Sequence, residues 1–193
     1  MAIRRQIGLR DFHVCPLTSD IVGQDPVYES PVRIPGIISA TMSVERTNDS
    51  YYSDDTVEES FSSFNQITLE VEVSNLSIAE RKLLLGVQGA NGGVFSNKDD
   101  ASQEVGIMFR SRKTNGKFRY ISLMKGKFVE PDENYGTEAD SITAQTMTMT
   151  FTGIPLQSNG NYRLVVDEDE ADVNADYIRD FFNEMRFEEP PVQ

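Results

Sequence analysis

Between Glu104 and Val129 polar and apolar residues alternate on either side of a turn signal. Val105, Ile107 and Phe109 repeat at every second position, the period of a strand with one buried face. A second run spans Lys117 to Phe128. Thr114-Asn115-Gly116 lies between them, and Asn-Gly supplies the positive φ that a tight antiparallel hairpin requires. In the second run Phe118, Tyr120, Met124 and Phe128 share one parity, while Ile121 and Leu123 share the other. Such a strand sits inside a sandwich or changes sheets midway.

The same alternation recurs elsewhere. Ile38, Ala40, Met42 and Val44 alternate with Ser39, Thr41 and Ser43, and Ile67, Leu69, Val71 and Val73 with Thr68, Glu70 and Glu72. From Ile142 to Thr152 the methionines and Phe151 take one side and Thr146, Thr148, Thr150 and Thr152 the other. Threonine rows suit a β surface that meets water or a polar channel. Tyr162 to Val166 predicts one more strand, ending in Asp167-Glu168-Asp169-Glu170.

Helical spacing is scarce. Ser77-Ile78-Ala79-Glu80 reads as a capping box, and Gly86 as the C′ glycine of the short helix it opens. Tyr177, Ile178, Phe181, Phe182 and Met185 form one apolar stripe, predicting a C-terminal helix with Asp172 and Asp176 near its start. The expected fold is mainly β (α+β): a β-sandwich or barrel of six to eight antiparallel strands with one short helix and a C-terminal helix.

Two stretches break the pattern. Residues 1–36 hold Pro16, Pro26, Pro31 and Pro35, which excludes a long helix and predicts an extended N-terminal arm with short strand pieces. Residues 46–65 are polar and acidic and are expected to form a long loop, a kind of segment that tends to be functional. Its aromatics Tyr51, Tyr52, Phe61 and Phe64 suggest docking on a neighbour. Residues 188–193 are expected to fray. The 193 residues make one domain.

Charge changes the picture. Arg110, Arg112, Lys113, Lys117, Arg119, Lys125 and Lys127 are seven of the 18 basic residues, and no acid lies between Val105 and Val129. Removing those seven positive charges from a net −13 leaves −20 on the rest of the chain. A cationic hairpin on an acidic body finds its counter-charge, on this reading, in a neighbouring copy. So acidic a chain is a poor adsorber of nucleic acid, whose affinity comes from cations that displace counterions.

Sites of chemistry are weak. The first residues lack the apolar core of a secretory signal, and no run approaches the roughly 20 apolar residues a membrane helix needs. Cys15 is the only cysteine and reads as a reduced structural residue. His13, the only histidine, lies too close in sequence to Cys15 for a nucleophile and base. An EF-hand starting at Asp167 fails at its sixth and twelfth positions, Asp172 and Ile178. The Gly/Asn-rich segment 86–100 lacks both GxGxxG and GxxxxGK. No catalytic residue, cofactor or metal is expected, and the chain does not read as an enzyme.

The order of segments IGLRDFHVCPLTSD, PGIISATMSVE, YYSDD, ITLEVEVSNLSIAERKLLLG, EVGIMFRSRKTNGKFRYISLMKGKF, DSITAQTMTMTFTGIP, NGNYRLVVDEDE and YIRDFFNEM resembles the major tail protein, or tail tube protein, of long-tailed non-contractile bacteriophages, especially of Gram-positive hosts. The hairpin turn and the following KGKF carry most of the resemblance. Phe181-Phe182 stands where a tryptophan-phenylalanine pair is usual, and Ser102-Gln103 where a proline and an aromatic are common.

The resemblance implies a structural virion protein that self-assembles into stacked hexameric rings around a lumen. The genome passes through that lumen without specific binding. It further implies assembly in the host bacterial cytoplasm, alongside tape measure, tail terminator and baseplate or distal tail proteins, with no membrane role. Tyr51, Tyr52, Asp54, Asp55, Arg110, Arg112, Lys113, Lys117 and Arg119 are the expected self-assembly residues, and an acidic or Thr/Ser-rich lumen lining is expected. A baseplate-hub or secretion-tube subunit shares this logic. A soluble ligand-binding β-sandwich is the rival from another class, although such modules often display tryptophan, which this chain lacks.

Overall fold

A computed structural model describes residues 5–53, 56–133 and 145–191. The strands are β1 (Gln6–Ser19), β2 (Val27–Tyr28), β3 (Val32–Arg33), β4 (Ile37–Ser53), β5 (Thr56–Val73), β6 (Val105–Lys113), β7 (Phe118–Asp132), β8 (Met147–Ile154) and β9 (Arg163–Asp167). Among the described residues there are two helices, α1 (Ile78–Leu85) and α2 (Ala175–Arg179). All pairings are antiparallel in one sheet of order β2-β1-β6-β7-β8-β5-β4, with β3 on β1 and β9 on β7. The fold is mainly β, as the alternation predicts.

The strand β7 lets one sheet make two layers. Its first half pairs with β9 on the side away from β6, and its second half pairs with β8. Leu123 faces Ile107, but Gly126 faces Val105, so β7 carries one extra residue between them. A bulge of this kind bends the strand and inverts which side chains face which way. Before it Ile121 and Leu123 enter a core with Phe12, Val14, Ile107 and Phe109; after it Phe128 enters that same core. Tyr120 and Met124 enter a second core, with Met108, Val166, Phe181 and Met185. Grouping Phe128 with Tyr120 and Met124 by sequence parity is therefore corrected by the bulge, while the change of layer within β7 is found.

Gly126 pairs with Gly153. A Cβ on Gly126 would meet the Phe151 ring and the Thr152 carbonyl, so the close approach of β7 to β8 requires glycine here.

The hairpin turn differs in detail from the expectation of two positive φ angles. Only Gly116 has positive φ (85°); its N–H donates to the Lys113 carbonyl, and the Lys113 N–H to that of Lys117. This is a three-residue loop built on a type I turn with glycine in the left-handed position.

Both caps of α1 form as the sequence indicates. Ser77 Oγ accepts from the Glu80 N–H, Glu80 Oε2 accepts from the Ser77 N–H, and Gly86 closes the helix at φ 70°.

Three expectations are corrected. Residues 6–19 of the supposed arm are a full strand of the sheet, with Phe12, Val14 and Cys15 buried, because β6 supplies ladder partners from Gln6 to Pro16. The supposed loop 46–65 is the distal half of a β4–β5 hairpin, paired from Arg46–Phe64 to Ser53–Thr56. Cross-strand pairing organises it without an apolar face, which is why periodicity missed it. The C-terminal helix spans only Ala175–Arg179, and its stripe continues through turns: Phe181 and Met185 are buried and Tyr177, Ile178 and Phe182 pack against them. Of the strand expected from Ile142 to Thr152, residues 142–144 lie outside the described residues and pairing starts at Met147.

Candidate functional site

The side of the β4-β5-β8-β7 layer that faces away from the core is polar, and register aligns it into rows. Ser39 pairs with Glu72, Glu72 with Thr148 and Thr148 with Asp132. The next row is Thr41, Glu70, Thr150 and Val129, followed by Ser43, Thr68, Thr152 and Lys127. Ser39 and Thr146 donate to the two oxygens of Glu72, at 3.0 and 2.8 Å, and Gln66 donates to Glu45 at 3.0 Å. Among the described residues four carboxylates (Glu45, Glu70, Glu72 and Asp132) stand on this surface with one cation, Lys127. Partners on adjacent strands share a face, so the surface is acidic and hydroxyl-rich over four strands.

Beyond this surface β4 and β5 continue as a two-stranded ribbon of exposed residues. Eight residues of β4, at about 3.3 Å each, carry it roughly 25 Å further. Phe64 and Tyr162 stack at its base, 4.2 Å between centroids, and Tyr51 and Phe61 meet edge to face near its tip, both exposed. Tyr52 lies on β4, its side chain outside the described residues, as are Asp54 and Asp55.

The cationic β6–β7 hairpin finds its acids within the chain. Lys113, almost fully buried, reaches Asp167 at 2.9 Å and Asp169 at 2.6 Å. Arg119 makes two 2.6 Å hydrogen bonds to Asp167, and Lys117 reaches Glu168 at 2.9 Å. Arg110 bonds Asp11 at 2.6 Å and lies over the Phe118 ring, 4.3 Å from its centroid. The acidic run closing β9 thus neutralises the hairpin. Register explains it: Arg119 stands opposite Asp167. The Lys113 hydrogen bond holds the Asp169 carboxyl down at about 2, and Arg119 lowers that of Asp167. Burial pushes the Cys15 thiol up to about 12, leaving no thiolate, and His13 is stacked on Phe182.

Lys125 was grouped with the hairpin cations, yet the β7 bulge turns it inward. It bonds Asp20 at 2.8 Å and lies 3.4 Å from Glu104, with Lys125 and Asp20 almost fully buried. Asp20 also accepts from the Gln157 and Ser158 N–H groups. Against its burial, these bonds and Lys125 lower its carboxyl. Sequence spacing could not bring residues 20, 104, 125 and 157 together. Arg112 and Lys127 are exposed and make no ion pair among the described residues.

Among the described residues no helix is long and apolar enough to cross a membrane. No curated protein matches the chain. The family model described as phage tail tube protein matches residues 24–187, a span holding the polar sheet face, the ribbon and all but the β1 residues of both cores. The chain belongs to the phage tail tube protein family and is a structural component of the virion tail.

Proposed function

We propose that the chain forms six-membered rings that stack into the tail tube, with the polar face of β4, β5, β8 and β7 lining the lumen through which the genome travels. The observation that carries this reading is the run of register-aligned rows of Ser, Thr, Glu and Asp across four strands. A conduit for DNA needs a surface that repels phosphate or leaves it unbound. Fields are screened over about 8 Å at physiological salt, so the local lining decides the matter and not the net charge.

Two features support association between copies. The strand β4 lies at the end of the sheet order, 17 residues long, and unpaired strand edges add strands from other chains unless covered. The two-stranded ribbon beyond β8 lacks a core, and isolated hairpins are marginal in water; a neighbouring subunit stabilises it. Tyr51 and Tyr52 on the ribbon, Asp54 and Asp55 next to them in sequence, and the exposed Arg112 and Lys117 form the intersubunit surfaces. Arg110, Lys113 and Arg119 brace their hairpin from within. Assembly takes place in the host cytoplasm with the tape measure, terminator and distal tail proteins as partners.

Negative-stain microscopy of the concentrated protein tests the reading. Hollow six-fold rings or tubes are expected. A chain that stays monomeric at millimolar concentration overturns it.

A further inference from the structure

Asparagine is followed by glycine three times, at Asn91-Gly92, Asn115-Gly116 and Asn159-Gly160. In such a pair the glycine nitrogen can close a five-membered ring on the asparagine Cγ, and no Cβ on the glycine obstructs its approach. The new C–N bond expels the side-chain nitrogen as ammonia, which carries off the proton of the glycine N–H. Water then opens the cyclic imide at either carbonyl and leaves aspartate or isoaspartate. The nitrogen must give up its proton and the side chain must turn towards it. Hydrogen bonds on either group therefore hold the pair back.

Two of the three pairs are held. Asn115 Nδ2 donates to Asp169 Oδ2 at 2.8 Å, and its Oδ1 accepts from the Lys117 N–H at 3.1 Å. The Gly116 N–H donates to the Lys113 carbonyl at 3.0 Å. Asn159 Oδ1 accepts from the Asn161 N–H at 2.9 Å, and the Gly160 N–H donates to the Leu156 carbonyl at 3.0 Å. In both pairs the side chain and the attacking nitrogen are each engaged.

Asn91-Gly92 is built differently. The Gly93 N–H donates to the Ala90 carbonyl at 3.1 Å and closes a tight turn around the pair. Asn91 and Gly92 have φ of 56° and 79°, both positive as in a type I′ turn. That closure uses neither reacting group: among the described residues the Asn91 side chain and the Gly92 N–H make no hydrogen bond. Both residues are exposed, and a Cβ on Gly92 would meet nothing within 4 Å.

We propose that Asn91 is a site of spontaneous covalent modification, deamidating in the folded chain while hydrogen bonds protect Asn115 and Asn159. The reaction needs water and no second copy of the chain, so it is independent of assembly. Its isoaspartate product routes the main chain through the side-chain carbon and lengthens the turn. The turn has little slack, since a Cβ on Gly89 would already collide with the Gly93 carbonyl. Lengthening it loosens the Gln88–Phe95 bridge and with it Val94, which packs against the main core.

Peptide mapping with isoaspartate detection tests this on full-length protein held at mildly alkaline pH, one sample native and one unfolded in urea. In urea the three pairs should react at similar rates, because the bonds that distinguish them are gone. In the native sample Asn91 should react roughly tenfold faster than Asn115 or Asn159, or more, because those two must first break their hydrogen bonds. Similar native rates at all three pairs, or a faster reaction at Asn115 or Asn159, overturn the assignment. An Asn91 that stays intact in the native sample while the urea sample reacts overturns it as well.

Discussion

Lys113 Nζ and Asp169 Oδ1 lie 2.6 Å apart, joining the end of β6 to the turn after β9 across 56 residues of chain. Lys113 is 4% exposed and touches Asp167 as well. The most basic and one of the most acidic stretches of the sequence are thus two halves of one contact. The hairpin is rigid before any neighbour arrives, and charge that would otherwise repel another copy's cations is spent inside the fold.

That contact sets a direction for acid sensitivity. A carboxyl whose folded value lies below its unfolded one stabilises the fold above the unfolded value, and the contribution fades as pH falls through the folded one. For Asp169 the window runs from 3.8 down to about 2. The gap in melting temperature between wild type and Asp169→Asn should hold steady from neutral pH to about 4 and close towards about 2. Parallel melting curves throughout that range would refute this.

Lys113→Met should be strongly destabilising. It removes the cation that Asp167 and Asp169 share, and the melting temperature should fall. Adding Asp169→Asn should recover part of that, because one of the two carboxylates that shared the cation goes with it. Additive losses in the double-mutant cycle would show that the two side chains do not interact.

Gly126→Ala tests the fold of β7. The new methyl group has no room against Phe151 and the Thr152 carbonyl, so about 1–3 kcal/mol should be lost to overpacking. At Gly8, where a Cβ would meet nothing within 4 Å and φ is not positive, alanine should cost nothing. Equal losses at both positions in urea unfolding would remove the argument that Gly126 sets the spacing of β7 and β8.

Much of this architecture is legible in the sequence, for physical reasons that also mark where it stops. Alternation finds β5, β6, β8 and the inner half of β4 because one face of each is buried. Ser77, Glu80 and Gly86 announce α1 because capping is local. The ribbon 46–65 escapes because a strand with two wet faces has no apolar period. The bulge between Leu123 and Gly126 escapes because parity does not record an added residue. The ion partners of Lys113 and Lys125 escape because they lie 21 to 105 residues away along the chain. The threonine row Thr148, Thr150 and Thr152 was visible; its continuation through Glu72, Glu70 and Thr68 needs the β5–β8 register.

The polar sheet face yields a prediction separable from folding and assembly. Glu70 and Thr150 are paired neighbours at the middle of the surface, neither in the core. E70K/T150R exchanges a carboxylate and a hydroxyl for two cations without touching a buried side chain, so the cost is confined to repulsion between paired like charges, about 1 kcal/mol at most. Tubes should still assemble, since neither residue lies on the ribbon. Six copies per ring would then present a cationic belt repeated along the lumen, and phosphate contacts accumulate affinity with each cation engaged. Phage carrying this variant should therefore form normal tails yet eject DNA more slowly, with the defect relieved as salt is raised. Unchanged ejection kinetics from tails of normal length would place this face away from the lumen.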